Sequence, residues 1–220
     1  MNFDTFRKVD NYLEGLFHLE HDTLKKTAQS IYENEMPDHA VSAVQGQFLF
    51  FLAKLCKAKR ILEIGTLAGY SSIWLGKATG VDGKVFTIEN NPKYAKIASV
   101  NIKEAQLENT IQVIEGEALS ILDGYDFGEG LFDIFFMDAD KPNYVNYFNW
   151  AIEKVRPGGL IVADNVIRDG KILELDSTDE YVIGVQNYLE LLSKRTDIHT
   201  TILQQVGSKT YDGIALSLVK

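Results

Sequence analysis

The chain has 220 residues, 45% apolar and 24% charged, with a net charge of −9. That balance describes an ordinary globular protein with one sizeable core and argues against a broad nucleic-acid surface. No apolar run approaches the roughly 20 residues of a membrane span, MNFDTFRK at the start has no signal-peptide core, and one cysteine, Cys56, excludes an internal disulfide, so a cytoplasmic location is expected.

Phe3, Phe6, Val9, Leu13, Leu16 and Phe17 recur at helical spacing, as do Leu24, Ala28, Ile31 and Tyr32. These predict two helices that precede the first strand and pack as a cap or a dimer face. MPDHAVS (36–42) reads as a loop from its proline and polar content. Residues 45–57 form a strongly apolar helix in which Cys56 is a small buried hydrophobe. A regular alternation follows. Strands at 60–64, 85–88, 111–114, 131–137 and 160–163 alternate with helices at 70–78, 92–106, 118–122, 143–155 and 179–194. This rhythm predicts a parallel sheet covered on both faces. Two further strands, 200–206 and 213–219, are joined only by GSKTYD (207–212). That is too short for a parallel crossover, so the last strand should run antiparallel beside its neighbour. One α/β domain over 1–220 is expected, with N-terminal helices at 1–36 and a catalytic core at 37–220.

Two of the buried strands end in acids. LFDIFFMDADK (131–141) delivers Asp138, and GLIVADN (159–165) delivers Asp164 with Asn165. Ligands of open parallel sheets bind outside the carboxyl ends of the strands. An acid at a strand end can be a plain helix cap, Asp-Asn can make an Asx-turn, and a lone lysine such as Lys141 is ordinarily solvated. Their joint occurrence after two buried strands favours a divalent metal site with oxygen ligands. The first strand leads into EIGTLAGYSS (63–72), where Gly65 allows a tight turn and the next helix offers its N-terminus. Glu89 ends the second strand, placed to accept hydrogen bonds from a ribose. Glu63 is an acid on a buried strand, costly unless paired or bound to something cationic, such as a sulfonium or an amino group. His18, His21, His39 and His199 show no metal-ligand spacing. His39 sits in the loop before the apolar helix, Trp74 and Trp150 read as packing, and Tyr144 is a candidate pocket residue beside Tyr147.

ILEIGTLAGYSS (61–72), FDIFFMDADKPNY (132–144) and PGGLIVADN (157–165) together resemble the cation-dependent O-methyltransferases. This is the group of caffeoyl-CoA and catechol O-methyltransferases and their small bacterial relatives. The resemblance runs from about Pro37 to the C-terminus and includes VGSKTYDG (206–213). It implies a class I S-adenosylmethionine-dependent methyltransferase fold, Rossmann-like, with a seven-stranded mostly parallel sheet whose last strand is antiparallel. It also implies S-adenosylmethionine as methyl donor and a divalent cation, magnesium with manganese or calcium as alternatives. The acceptor would be an aromatic vicinal diol, such as a hydroxycinnamate, flavonoid or related diphenol.

On the matching positions, the resemblance assigns Glu63, Gly65, Thr66 and Ser71 to the methionine side of the donor. It assigns Glu89 to the ribose, Ala118 to the adenine and Val41 to a further cofactor contact, with Asp138 and Asp140 near the cofactor. Asp138, Asp164 and Asn165 would hold the metal, and Lys141 would be the base, with Asp138 beside it in the catalytic pair. Glu117 stands where an aspartate is commoner. A homodimer is implied in the same way.

The chemistry fits these residue types. Methyl transfer needs an aligned donor and a nucleophilic oxygen, and a free phenol is mostly protonated at neutral pH. A hard dication would chelate both oxygens and favour the phenolate, and a nearby lysine can accept the proton. Two other readings stand beside this one. A tRNA hydroxyuridine methyltransferase of the same fold is weakened by the acidic balance, with Lys25-Lys26 as its thin basic patch. A nicotinamide-dependent oxidoreductase lacks the G-x-G-x-x-G fingerprint, because position 67 is Leu.

Overall fold

The computed structural model describes residues 3–209 and 211–220. Helices α1 (Phe3–Phe17), α2 (Asp22–Glu33) and α3 (Ala43–Leu55) precede the sheet. There follow β1 (Arg60–Ile64), α4 (Tyr70–Thr79), β2 (Lys84–Glu89), α5 (Pro92–Glu104), β3 (Ile111–Glu115) and α6 (Ala118–Gly124). Then come β4 (Phe132–Met137), α7 (Tyr144–Lys154), β5 (Val155–Asp164), α8 (Glu180–Lys194), β6 (Ile198–Val206) and β7 (Tyr211–Val219). Short 3-10 segments, Lys141–Asn143 and Arg168–Leu173, follow the carboxyl ends of β4 and β5.

The strands lie in the order β3-β2-β1-β4-β5-β7-β6. Strands β1 to β5 pair in parallel, and β7 pairs antiparallel with both β5 and β6. This is the class I methyltransferase arrangement expected from the resemblance. The reversed strand occurs where the short 207–212 connection requires it, inserted between β5 and β6.

The central strands are apolar on both sides because helices cover both faces. Leu62, Phe135 and Met137 pack with Tyr147, Phe148 and Val185 on one face. Ile61, Phe136 and Val162 pack with Leu49, Ile73 and Trp74 on the other. At the switch between β1 and β4 the chain leaves in opposite directions, which opens a crevice at the carboxyl ends.

Strands β6 and β7 each begin two residues earlier than expected, and three further elements are informative. Helix α3 begins at Ala43, earlier than position 45, because Ser42 and Gln45 form a reciprocal capping box, with bonds of 3.2 Å and 2.9 Å. Cys56 consequently falls at the helix end and is half-buried; burial raises its thiol pKa. Strand β5 starts at Val155 and takes in Pro157, Gly158 and Gly159, with a register break opposite, between Phe132 and Ile134. On α1 the apolar stripe faces outward, with Phe17 64% exposed, and the buried residue is Asp10.

Helix α8 is fitted tightly to the segment that carries Lys141. A Cβ at Gly184 would collide with the Lys141 carbonyl and lie 2.7 Å from Pro142 Cα. Gly184→Ala should therefore lower unfolding free energy by about 1–3 kcal/mol and reduce turnover, read from urea melts and initial rates. Unaltered stability would mean that the 3-10 turn yields without cost.

Candidate active site

The carboxyl ends of β1, β2, β4 and β5 open into one cleft of about 1320 Å³. Its floor is set by a close approach. The turn after β1 passes so near the end of β4 that a Cβ at Gly65, where φ is +97°, would collide with the Asp138 carbonyl. Asp138 N donates to Ile64 O at 2.9 Å, which ties the two strand ends together. Gly65, Thr66 and Ser71 line the cleft, with Val41 and His39 from the 36–42 loop. Glu89, Ala118, Asp138, Asp140, Lys141, Asp164 and Asn165 line it as well.

Glu89 is fixed by two backbone donors, Leu67 N and Asn91 N, each at 2.9 Å on a different oxygen. Each oxygen keeps a lone pair for a further donor, such as a ribose hydroxyl. Glu117 is turned to the helix instead, accepting from Leu119 N and Ser120 N as the N-cap of α6. Ala118 follows it at the cleft wall.

Glu63 is 0% exposed and lies beneath the turn, not on the cleft wall. One of its oxygens accepts from the hydroxyls of Ser72 and Thr87; the other has no hydrogen-bond partner among the described residues. Thr87 in turn bonds Thr66 at 2.6 Å, so the acid is linked to the lining through hydroxyls. Burial raises its carboxyl from 4.5 to about 7, aided by the charge of Asp138 and opposed by the hydroxyls of Ser71, Ser72 and Thr87.

On the other side of the crevice, Asp164 is 2% exposed and accepts from Asn165 N at 2.8 Å. Its pKa is raised first by burial and then by the neighbouring charge of Asp138, with Lys141 acting against. Asn165 has a φ of +57°. Lys141 is 4% exposed; its ammonium donates to Asp138 at 3.0 Å and to the Tyr144 hydroxyl at 2.7 Å. Among the described residues no cluster of three His, Cys, Asp or Glu side chains has metal-holding geometry. The set that converges here is two carboxylates and one amide. The crowding of a buried carboxylate, Asp164, and a partly buried one, Asp138, near one lysine is the electrostatic setting that a dication would relieve. Mg²⁺ and Ca²⁺ take such oxygen donors.

Two tyrosines take roles that spacing did not separate. Tyr144 is fully buried behind the wall, not in it. Its hydroxyl is shared between the carbonyls of Asp164, at 2.9 Å, and Met137, at 3.1 Å. Burial holds its pKa well above the ordinary value, so it stays protonated. Tyr147 is the one that reaches the cleft, donating to Asp140 at 2.6 Å. A Lys-x-x-Tyr spacing across a 3-10 turn was the available signal for the first contact, and an Asp seven residues before a Tyr for the second.

This fold and cleft define a class I methyltransferase. The O-methyltransferase family model matches residues 15–219, and the chain belongs to that family. It is 48% identical to a catechol O-methyltransferase of Niastella koreensis over 221 aligned residues, covering 100% of both chains. It is 41% identical to a catechol O-methyltransferase of Mycobacterium tuberculosis, covering 96% of this chain and 95% of that one. The crystal structure of the O-methyltransferase TomG from Streptomyces achromogenes, in complex with S-adenosylmethionine, superposes with a TM-score of 0.96. That pair is 42% identical and covers 100% of this chain and 99% of TomG. The protein is thus an enzyme, an O-methyltransferase, which sets aside the oxidoreductase reading.

Because the Glu63 pKa is raised, the folded protein holds a proton between 4.5 and about 7 that the unfolded chain has released. The stability it contributes is complete below the lower value and lost as pH rises through the upper one. Wild type should therefore lose stability relative to Glu63→Gln between about pH 5 and about pH 8 in urea melts. A difference that does not change with pH would show Glu63 ionised throughout.

Proposed function

We propose that this enzyme transfers a methyl group from S-adenosylmethionine to one hydroxyl of a catechol-like small molecule, with a divalent cation bound. The observation that carries the reading is the meeting of the Gly65 turn with Asp138 at the β1–β4 switch, with Asp164 and Lys141 beside it. The names of the Niastella and Mycobacterium relatives and the donor bound in TomG support it.

Bound in the Gly65 turn, S-adenosylmethionine supplies an electrophilic methyl on sulfonium. Held by Asp138, Asp164 and Asn165, magnesium would supply Lewis acidity toward two vicinal oxygens. The chain's own residues do the rest. Glu89 receives the ribose hydroxyls, Ala118 borders the base, Val41 makes a further contact to the donor, and Thr66, Ser71 and Asp140 fix the end nearest β4. Glu63, through Thr87, fixes the Thr66 hydroxyl beneath that end. Lys141, as the neutral amine, would take the acceptor's proton at Nζ, with the Tyr144 hydroxyl and Asp138 positioning that nitrogen. The closed approach of the two strand ends aligns donor and acceptor, which is where most of the rate advantage of a displacement arises.

The outward apolar stripe of α1 supports a homodimer formed through the N-terminal helices. Sedimentation equilibrium showing only monomer at micromolar concentration would remove that part.

Lys141→Ala should lower kcat for a diphenol such as caffeate by about 100-fold to 10,000-fold, with donor affinity by calorimetry little changed. Asp164→Ala and EDTA should each abolish methylation, and magnesium should restore only the EDTA-treated wild type. Full activity in EDTA would sink the metal mechanism.

A further inference from the structure

The cleft has a wall away from the donor turn, and among the described residues two cations in it, the half-buried Arg168 and the exposed Lys171, have no acid partner. Arg168 stands three residues past Asn165 and lines the cleft. Its backbone is pinned: Ile167 N and Arg168 N donate to Asp212 Oδ1 at 2.9 Å and 3.0 Å, and its φ is +56°. The guanidinium carbon lies 5.8 Å from the centre of the Tyr181 ring. Among the described residues no carboxylate pairs with it, and its Nε is buried without a hydrogen-bond partner.

The acids nearby are engaged elsewhere. Asp38 pairs with Lys209, Asp10 accepts from Ser208 N at 2.7 Å, and Asp212 Oδ1 takes a third N–H from Gly213 at 2.8 Å. Asp169, next in the chain, also lines the cleft but is exposed and makes no ion pair with Arg168. A partly desolvated guanidinium without an acid is costly, and one pre-oriented on an aromatic ring is suited to bidentate recognition of a carboxylate. Three residues of chain span at most about 11 Å, so Arg168 and Asn165 line the same part of the cleft.

We propose that Arg168 receives a carboxylate on the acceptor, so that the enzyme's acceptors are catechol carboxylic acids in preference to neutral diphenols or catecholamines. The inference rests on the catechol reading above. A carboxylate at Arg168 and two hydroxyls near Asp138 and Asp164 would fix the ring at both ends.

The test compares 3,4-dihydroxybenzoate, pyrocatechol and dopamine at saturating S-adenosylmethionine and magnesium. Wild type should show the highest kcat/KM for the acid. In Arg168→Ala the ratio of kcat/KM for the acid to that for pyrocatechol should fall about tenfold, mostly through KM, as expected for loss of a charge-assisted bond. Arg168→Lys should retain part of that ratio, and Arg168→Gln should not. Calorimetric binding of 3,4-dihydroxybenzoate to protein loaded with S-adenosylhomocysteine and magnesium should weaken in parallel. A ratio unaffected in Arg168→Ala, or a wild-type preference for dopamine, overturns the inference while leaving the catechol reading intact. Methylation of none of the three overturns both.

Discussion

Asp138 and Asp164 stand at the ends of adjacent buried strands, and their mutual repulsion in a poorly solvated crevice has to be answered by the groups around them. Two strands side by side in a parallel sheet bring their carboxyl ends together whatever those ends carry. Placing acids there raises the free energy of the ionised pair: burial first, and then the charge of Asp138, shift the Asp164 carboxyl upward. Lys141 answers part of it through the 3.0 Å contact with Asp138. What is left uncompensated is the charge that the proposed cation would answer.

The lysine can give this answer only if its backbone is held. Tyr144 does so by joining the ends of both strands to the amine: one hydroxyl meets the carbonyls of Met137 and Asp164 and accepts from Nζ. Its ring packs edge-on to Tyr188 of α8, with centroids 5.5 Å apart, and the glycine of α8 lets that helix press on the Lys141 carbonyl. The crevice is thus stiffened from behind, by side chains that never reach the cleft.

The sheet was readable from the sequence because its strands are short apolar runs bounded by turns, and the acids at their ends break that apolarity at the right place. The reversal of β7 was readable from a connection too short to cross over. Less was readable where burial and chemistry separate. Tyr144 and Tyr147 sit three apart on the same helix, and only the rotation of α7 against β4 decides which one faces the cleft. Glu63 looked like a ligand contact because a buried acid needs a partner; hydroxyls from α4 and β2 supply three-dimensional neighbours that no local pattern announces. On α1 the periodic apolar stripe is real, but the contact that docks the helix is polar, Asp10 with the backbone of Ser208, 198 positions away.

These differences follow a division within the cleft. The donor side is made of strand ends and the turns that leave them, so each lining residue is a few positions from a strand that is easily found. The opposite side is gathered from α1, the 36–42 loop, the start of α3, the β6–β7 connection and the segment after Asn165. They are joined by long-range contacts such as Gln45 with Gln205 and Asp38 with Lys209. Such contacts cross elements whose local sequences are independent, and each can change without disturbing the crevice floor. A cleft built this way can keep one chemistry at the strand ends while its far wall is altered residue by residue. On the proposed reading, acceptor choice is written in the part of the chain where a motif has the least to say.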